Sequence, residues 1–250
     1  MIDIRAHSKS DYAALPDIDS PMMNANDQSD LACLDEIGEL LIAKGANNRF
    51  GVTLLHSHFP IGDNEIVVER PHASERKFTL RPLEGCEMEG VDHVAINLQF
   101  CSGGDNRALT AIGMEFIRSE ALAGVAPVSA NDALVLRDVR DVLERRNLLR
   151  RFGVSLLHDA IGLGDSEILL ETCDLSSRTL HCVAAGRDDD RVSNGIETTW
   201  SWSVPAVAGA TAPEATRLCR RQCTRVCLTP AGGSHQSGGH EPSGHEVGPD

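Results

Sequence analysis

Aromatic side chains are scarce in this chain and make up 4% of its 250 residues. A hydrophobic core must therefore be built mainly from Leu, Val, Ile and Ala, and the hydrophobic content of 41% is ordinary for a globular protein. Basic residues are also in the minority, with 23 Lys and Arg against 37 Asp and Glu, so the formal net charge is −14. Because phosphate backbones and anionic lipids bind to positive surfaces, we expect neither nucleic acid nor a membrane as a main partner.

Long apolar runs are missing as well, since no stretch approaches the roughly 18 residues of a membrane-spanning helix. Residues 1–21 lack a basic region followed by an apolar run, which argues against a secretory signal. The sequence thus predicts a cytoplasmic or nuclear protein whose eight cysteines are mostly reduced thiols. It contains no phosphate loop, no Gly-x-Gly-x-x-Gly after a strand, no Gly-x-Ser-x-Gly and no His-Glu-x-x-His, which excludes the enzyme classes that depend on them.

What the chain does contain is a repeat. The stretch RFGVTLLHSHFPIGDNEIVVE at 49–69 returns at 151–171 as RFGVSLLHDAIGLGDSEILLE, and 12 of the 21 positions are identical. The offset of 102 also aligns a helix-like segment before each copy and strand-like segments after it. We interpret this as an internal duplication of one module.

Local patterns predict the elements of each module. A helix begins near Ser29 and ends before Gly45, and its counterpart begins after Ser129, where Asp132 completes a capping box. Apolar runs rich in β-branched residues follow and predict four strands in each copy. Further helices are predicted at 105–120 and 213–228. The fold class expected is α+β, with two tandem duplicated α-β-β-β-β-α modules, mostly antiparallel sheets and a pseudo-twofold arrangement.

The predicted domain organisation follows from the repeat and from composition. A disordered N-terminal segment spans 1–28, module 1 spans 29–122, a linker spans 123–130 and module 2 spans 131–228. Residues 229–250 form a tail rich in Gly, Ser and His that has no apolar anchor, so it is also predicted to be disordered.

Identical residues of the two copies point to scaffold. Gly51 and Gly153 each stand at the start of a strand, which indicates close packing or a backbone conformation that a side chain would prevent. The acidic pairs Asp63 with Glu65 and Asp165 with Glu167 follow the glycine turns; they either line a site or orient the turn.

The string RFGVTLLHSHF resembles a group of uncharacterised, mainly fungal, hypothetical proteins that carry Phe-Gly-x-x-Leu-Leu-His-x-His-Phe. The resemblance covers the short core of module 1, with a degenerate echo in module 2. It implies a eukaryotic intracellular setting and carries no activity over to this chain.

The sharpest chemical signal is the pair His56 and His58. Alternate residues of a strand share a face, so two imidazoles at this spacing can hold one metal ion, with Glu65 as a third ligand or as a catalytic base. The sequence leaves the cofactor unknown; if this pair holds an ion, the candidates are the divalent metals iron, manganese and zinc. The alternative is that His56 is a buried structural histidine, because His158 repeats it while Ala160 replaces His58.

A weaker metal candidate is the series Cys219, Cys223 and Cys227, whose spacing of four places three thiols on one stripe of the predicted C-terminal helix. Such a stripe predicts either a thiolate metal or redox site or small apolar residues that pack the helix.

Three functions remain open on the sequence. The first is an intracellular binding or assembly protein with a protein or small-molecule partner. The second is a small metal-dependent enzyme, of oxygenase, isomerase or hydrolase type, that uses His56 and His58. The third is a structural thiol metal site at the C-terminal helix.

Overall fold

The structure is a computed structural model, and it describes residues 2–20, 23, 28–88, 90–102, 109–122, 124–204 and 220–228. Within these residues the chain forms eleven strands and four α-helices. The strands are β1 (Ile2–Ala6), β2 (Phe50–Leu54), β3 (Glu65–His72), β4 (Lys77–Glu84), β5 (His93–Phe100), β6 (Leu109–Arg118), β7 (Phe152–Leu156), β8 (Glu167–Asp174), β9 (Thr179–Gly186), β10 (Ile196–Ser203) and β11 (Arg220–Cys227). The helices are α1 (Lys9–Ala13), α2 (Gln28–Ala43), α3 (Gly85–Met88) and α4 (Ala133–Arg145).

Ten of these strands close into one barrel. Their order around the barrel is β6, β3, β4, β9, β8, β11, β10, β2, β7 and β5, and β5 pairs with β6 to complete the ring. β1 is the extra strand, paired in parallel with the first half of β6. The barrel is mixed, because β3 runs parallel to β6 and β8 runs parallel to β11.

The prediction of an α+β fold with two tandem duplicated modules is therefore wrong. Neither repeat forms a unit of its own, because strands from the two halves of the chain pair with each other in one barrel: β4 pairs with β9, and β2 pairs with β7. The expectation of an internal duplication into separate modules with antiparallel sheets fails for the same reason. The repeated sequences mark similar positions in a single barrel.

Side chains alternate between the inside and the outside of the closed sheet, and this produces two cores. On β3, Val67 belongs to the inner core, whereas Ile66 and Val68 face outward. The outer core is the larger, and it packs α2 and α4 against one side of the barrel. The pattern on β8 is the same, with Leu169 inside and Ile168 outside.

The two repeated glycines occupy places where two strands approach closely. A Cβ at Gly51 would lie 2.5 Å from the carbonyl oxygen of Trp200, and a Cβ at Gly153 would lie 2.3 Å from that of Leu98. Real Cβ atoms do not come this near to backbone, so the prediction of close packing at these glycines is confirmed.

Equivalent residues of the two repeats hold the barrel together across the halves. Arg178 donates to both oxygens of Glu65 at 2.6 and 3.0 Å, and Arg76 forms the matching pair with Glu167. Each of these carboxylates also accepts a hydrogen bond from the backbone of its own glycine turn. The interpretation that these acidic residues orient the turn is supported, and the structure adds an arginine from the other half of the chain.

The N-terminal segment, which the sequence predicts to be disordered, contains β1 and α1. Tyr12 and Leu15 are buried in the inner core. The backbone of Ser57 donates to the carbonyl of Pro16 at 2.9 Å. This segment therefore packs against the interior of the barrel beside the loop that follows β2.

The helices agree only in part with the sequence. α2 and α4 lie where expected, Gly45 has the positive φ of 65° that ends a helix, and the capping box of Ser129 and Asp132 is present. The predicted helix at 105–120 is wrong, because 109–118 is strand β6. The helix at 213–228 is wrong over 220–227, which is β11, while 213–219 and the predicted tail at 229–250 lie outside the described residues. No helix in the described part of the chain is long and apolar enough to cross a membrane.

Candidate functional site

The barrel interior contains a cluster of charged side chains around Arg225. This residue on β11 donates to Glu69 on β3 at 2.8 Å, and its second terminal nitrogen lies 3.5 Å from Glu171 on β8. His158, which follows β7, places Nε2 at 3.1 Å from the other oxygen of Glu69. Glu69 and Glu171 share the inward face of their strands with apolar residues, so alternation alone directs them into the barrel.

The carboxylates of this cluster differ in charge state. Burial raises the pKa of Glu69, but the charges of Arg225 and His158 outweigh it and lower that pKa to about 2. Glu115 on β6 lacks so close a cation, and burial, with repulsion from Glu171 and Glu69, raises its pKa to about 7. At neutral pH the interior thus holds an ionised carboxylate and, beside it, one that exchanges its proton.

His56 follows the end of β2, and its hydrogen bonding leaves one imidazole nitrogen available to bind a metal ion. Its Nδ1 lies 2.8 Å from the carbonyl oxygen of Leu54, which fixes the proton on Nδ1 and leaves the lone pair on Nε2. Nε2 is buried and has no hydrogen-bond partner among the described residues. Burial lowers the pKa of His56, so the imidazole is neutral at pH 7.

His58 lies beside it, with the two ring centroids 4.4 Å apart and the rings edge to face. Its side chain is buried, Nδ1 has no hydrogen-bond partner in the described structure, and Nε2 lies 3.8 Å from Glu115. Burial lowers the pKa of His58 well below its usual value, and the neighbouring His56 and Arg225 lower it further. The backbone amide donates to Tyr12 Oη at 3.3 Å, so α1 helps to position this residue.

Cys227 completes the group. It ends β11, stands in register with Glu171 on β8, and is almost fully buried. One ligand atom from each of His56, His58 and Cys227 lies within 4.8 Å of the other two. Burial raises the pKa of the Cys227 thiol, and the negative charge of Glu171 raises it further. The same negative charge favours a cation at this place, and a metal ion displaces the thiol proton when it binds.

The separation of these atoms is compatible with a metal ion. In a tetrahedral zinc site, bonds of about 2.0–2.3 Å place neighbouring nitrogen and sulfur ligands about 3.3–3.6 Å apart. The three side chains therefore need to close by about 1.2–1.5 Å at most, which rotations of the imidazole and thiol groups can provide. Two neutral nitrogens and one thiol suit zinc or copper better than manganese, which prefers oxygen ligands.

A small void adjoins His56. It has a volume of about 20 Å³ and is bordered by His56, Glu115, Asn97, Thr53 and Tyr12, together with apolar side chains. This is room for about one water molecule, and the polar border offers it several hydrogen-bond partners. The void leaves space for a fourth ligand that is not supplied by the protein.

The predicted ligands are only partly brought together. His56 and His58 meet as expected, although they lie in the loop after β2 and not on a strand. Glu65 lies elsewhere, held by Arg178 and the backbone of Gly62, so it is not adjacent to the histidines. The third group near the two histidines is therefore Cys227 and not Glu65.

The cysteine stripe is also divided by the structure. Cys219 lies outside the described residues, and the predicted helix is strand β11. β11 carries one extra residue, Thr224, between the residues that pair with Thr199 and Trp200. This bulge shifts the alternation after Cys223. Both cysteines belong to the outer core, and of the two Cys227 also reaches the histidines.

The charged residues of the interior were missed in the sequence. A signal for two of them existed, because Glu69 and Glu171 end the repeated motif and follow directly on the apolar runs EIVV and EILL. A charge repeated at the end of a buried strand indicates a partner inside the fold. Arg225 gave no such signal, since it was placed on a predicted helix.

Comparison of the chain with protein-family models, with curated proteins and with solved structures gives no match.

Proposed function

We propose that this protein is a metal-binding β-barrel protein whose centre consists of His56, His58 and Cys227, and that the ion is zinc. The observation that carries the proposal is the convergence of His56, His58 and Cys227, each with one ligand atom within 4.8 Å of the other two. Each of these histidines also has a buried nitrogen without a hydrogen-bond partner in the described structure. Unpartnered buried nitrogens are costly, and a metal ion satisfies both of them at once.

The surroundings of the centre support a cation. Glu171 is in register with Cys227. Burial lowers the pKa of His56, and the negative charges of Glu171 and Asp17 partly oppose that lowering. The Nδ1–H of His56 donates to a backbone carbonyl, which is the outer hydrogen bond that metal-ligating histidines usually make. We place the protein in the reducing cytoplasm or nucleus, where the thiol of Cys227 stays available.

The proposal is tested by metal analysis of the full-length protein and by competition with a chromogenic zinc chelator. We expect about one equivalent of tightly bound zinc. Cys227→Ser and His56→Ala remove a ligand, so each should weaken zinc binding by more than the roughly 10- to 100-fold that loss of an outer hydrogen bond costs. Cobalt substituted for zinc should show a thiolate charge-transfer band that Cys227→Ser abolishes.

The chain provides matched controls for both ligands. His93 places Nδ1 on a backbone carbonyl two residues earlier, as His56 does, and Cys223 lies on the same strand as Cys227. Neither residue belongs to the convergent group, so His93→Ala and Cys223→Ser should retain zinc. A protein that binds no zinc at micromolar concentrations, or that loses it equally in the controls, would show that the proposal is wrong.

A metal-dependent enzyme is the second candidate, and the void of about 20 Å³ favours it. Zinc sites that act in catalysis have three protein ligands and an exchangeable water, whereas structural sites have four protein ligands. Here Glu115 and Asn97 border the space where that water would lie. If the fourth position is open, azide should change the spectrum of the cobalt-substituted protein. An unchanged spectrum restricts the protein to metal binding.

A further inference from the structure

Five basic side chains lie together on the outside of the barrel, in a protein whose net charge is −14. They come from three neighbouring strands: Arg70 and His72 from β3, Lys77 and Arg81 from β4, and Arg118 from the end of β6. We call these five residues the basic face. They border a groove of about 280 Å³, whose floor includes Val68 and Leu83.

The strand register brings these side chains close together. His72 stands opposite Lys77, Arg70 opposite Thr79, and Val68 opposite Arg81, so Arg70 and Arg81 are diagonal neighbours on one face. Long side chains at diagonal positions of a sheet reach one another, and like charges that close repel. A fold that keeps several of them on one face therefore leaves a region of positive potential that an anion neutralises.

Nearby acidic groups offset this charge only weakly. Among the described residues that border the groove, the acidic one is Glu69, whose side chain is buried in the barrel and bound to Arg225. Glu75, Glu87 and Glu120 contact the lysine and two of the arginines from the rim. Their side chains are 48–75% exposed, and such surface pairs contribute little.

Arg70 forms no ion pair with any described residue, and it is exposed. His72 donates to or accepts from the Thr79 hydroxyl at 3.0 Å, which orients the imidazole along the groove. The basic face therefore presents one free guanidinium, two weakly paired arginines and two further nitrogen donors toward the same space.

The second repeat shows that the fold does not require this charge. β8 and β9 follow β3 and β4 at the constant offset of 102. The positions equivalent to Arg70, His72, Lys77 and Arg81 are Thr172, Asp174, Thr179 and Val183. The equivalent strands β8 and β9 thus form without a basic surface, so the fold alone does not explain the basic residues on β3 and β4.

We propose that the basic face binds a small phosphate-bearing ligand, such as a phosphomonoester or a diphosphate. Guanidinium groups match the geometry of phosphate oxygens and can bind them in pairs. A volume of about 280 Å³ is near the lower end of the range of small-molecule pockets. The apolar floor suits the organic part of such a ligand. A long nucleic acid is disfavoured, because the rest of a chain with charge −14 repels it.

The test is isothermal titration of the full-length protein with inorganic pyrophosphate at low ionic strength, compared with Arg70→Gln/Arg81→Gln. The control is Arg145→Gln/Arg191→Gln, which removes the same charge at two exposed arginines elsewhere. We expect the basic-face variant to bind at least about 10-fold more weakly and the control to bind as the parent does. The melting temperature of the basic-face variant should be equal or higher, because repulsion is relieved.

Three outcomes would overturn the proposal. In the first, pyrophosphate does not bind the parent protein. In the second, both double variants weaken binding equally, which would show that binding depends only on the net charge of the protein. In the third, a single-stranded RNA oligonucleotide binds more tightly than pyrophosphate and depends on the same two arginines, which assigns the face to nucleic acid. None of these results bears on zinc at His56, His58 and Cys227, so the two proposals succeed or fail separately.

Discussion

Replacement of Arg225 by methionine tests how the barrel tolerates charge in its interior. Arg225→Met keeps a long side chain of similar reach, so the loss of packing is small. The substitution removes the hydrogen bond of 2.8 Å from Arg225 to Glu69, and it also removes the contact of Arg225 with Glu171. Glu171 keeps a hydrogen bond from the Thr198 hydroxyl at 3.0 Å, so Glu69 is affected most.

The expected loss of stability follows from the burial of that carboxylate. The Glu69 side chain is 0% exposed. Removing one partner of a buried ion pair costs about 3–5 kcal/mol, because the remaining charge loses its compensation. His158 Nε2 stays 3.1 Å from Glu69 and compensates part of that charge, so we expect the lower end of this range. Against a total stability of about 5–15 kcal/mol this is a large fraction. For a chain of this size it corresponds to a fall in melting temperature of roughly 6–20 °C.

Urea unfolding at pH 7 with a metal chelator present measures this loss without a contribution from bound metal. The double variant Glu69→Gln/Arg225→Met removes both charges and should recover more than about 2 kcal/mol of the loss. Destabilisation by less than about 1 kcal/mol in Arg225→Met, or no recovery in the double variant, would refute the view that Glu69 depends on Arg225 for its charge.

Two further predictions concern acid stability and the repeated glycines. The pKa of Glu69 is about 2 in the folded protein against an ordinary 4.5, so the ionised carboxylate stabilises the fold above pH 4.5, and this stabilisation is lost as the pH falls toward 2. The free energy of unfolding, measured by urea unfolding, should therefore fall by about 3 kcal/mol between pH 4.5 and 2. The fall should be smaller in Glu69→Gln. Gly51→Ala and Gly153→Ala should each destabilise by about 1–3 kcal/mol or more in the same assay, because the new Cβ meets strand backbone. Gly85→Ala is the control, since no atom lies within 4 Å of its new Cβ, and should change stability by less than about 0.5 kcal/mol; equal losses at all three glycines would contradict the packing argument.

Much of the local structure could be predicted from the sequence. The strands that begin at Phe50 and Phe152, the end of α2 before Gly45 and the capping box at Ser129 all lie where the patterns place them. These features depend on neighbours in the chain, so the residues themselves carry the information. The segments around Leu109 and Cys223 were predicted wrongly as helices because short apolar segments fit both periods.

The candidate site was predictable only in part. His56 and His58 are two residues apart, so any fold that buries them brings them together. Cys227 is far away in the chain, and its approach depends on the parallel pairing of β11 with β8 and on the bulge at Thr224. The spacing of the cysteines contains no information about either feature.

The sequence by itself determined the extended segments that begin at Phe50 and Phe152, the helices before them and the glycines that allow strands to approach. Only the tertiary structure decided that strands from both halves share one barrel and that Glu69, Glu171 and Arg225 meet inside it. The physical reason is that the alternation of apolar and polar residues predicts which face of a strand a side chain lies on, but does not predict which strand is its neighbour. Closure of the sheet into a barrel fixes which strands are neighbours, and it brings charged residues that are far apart in the sequence together in one buried site.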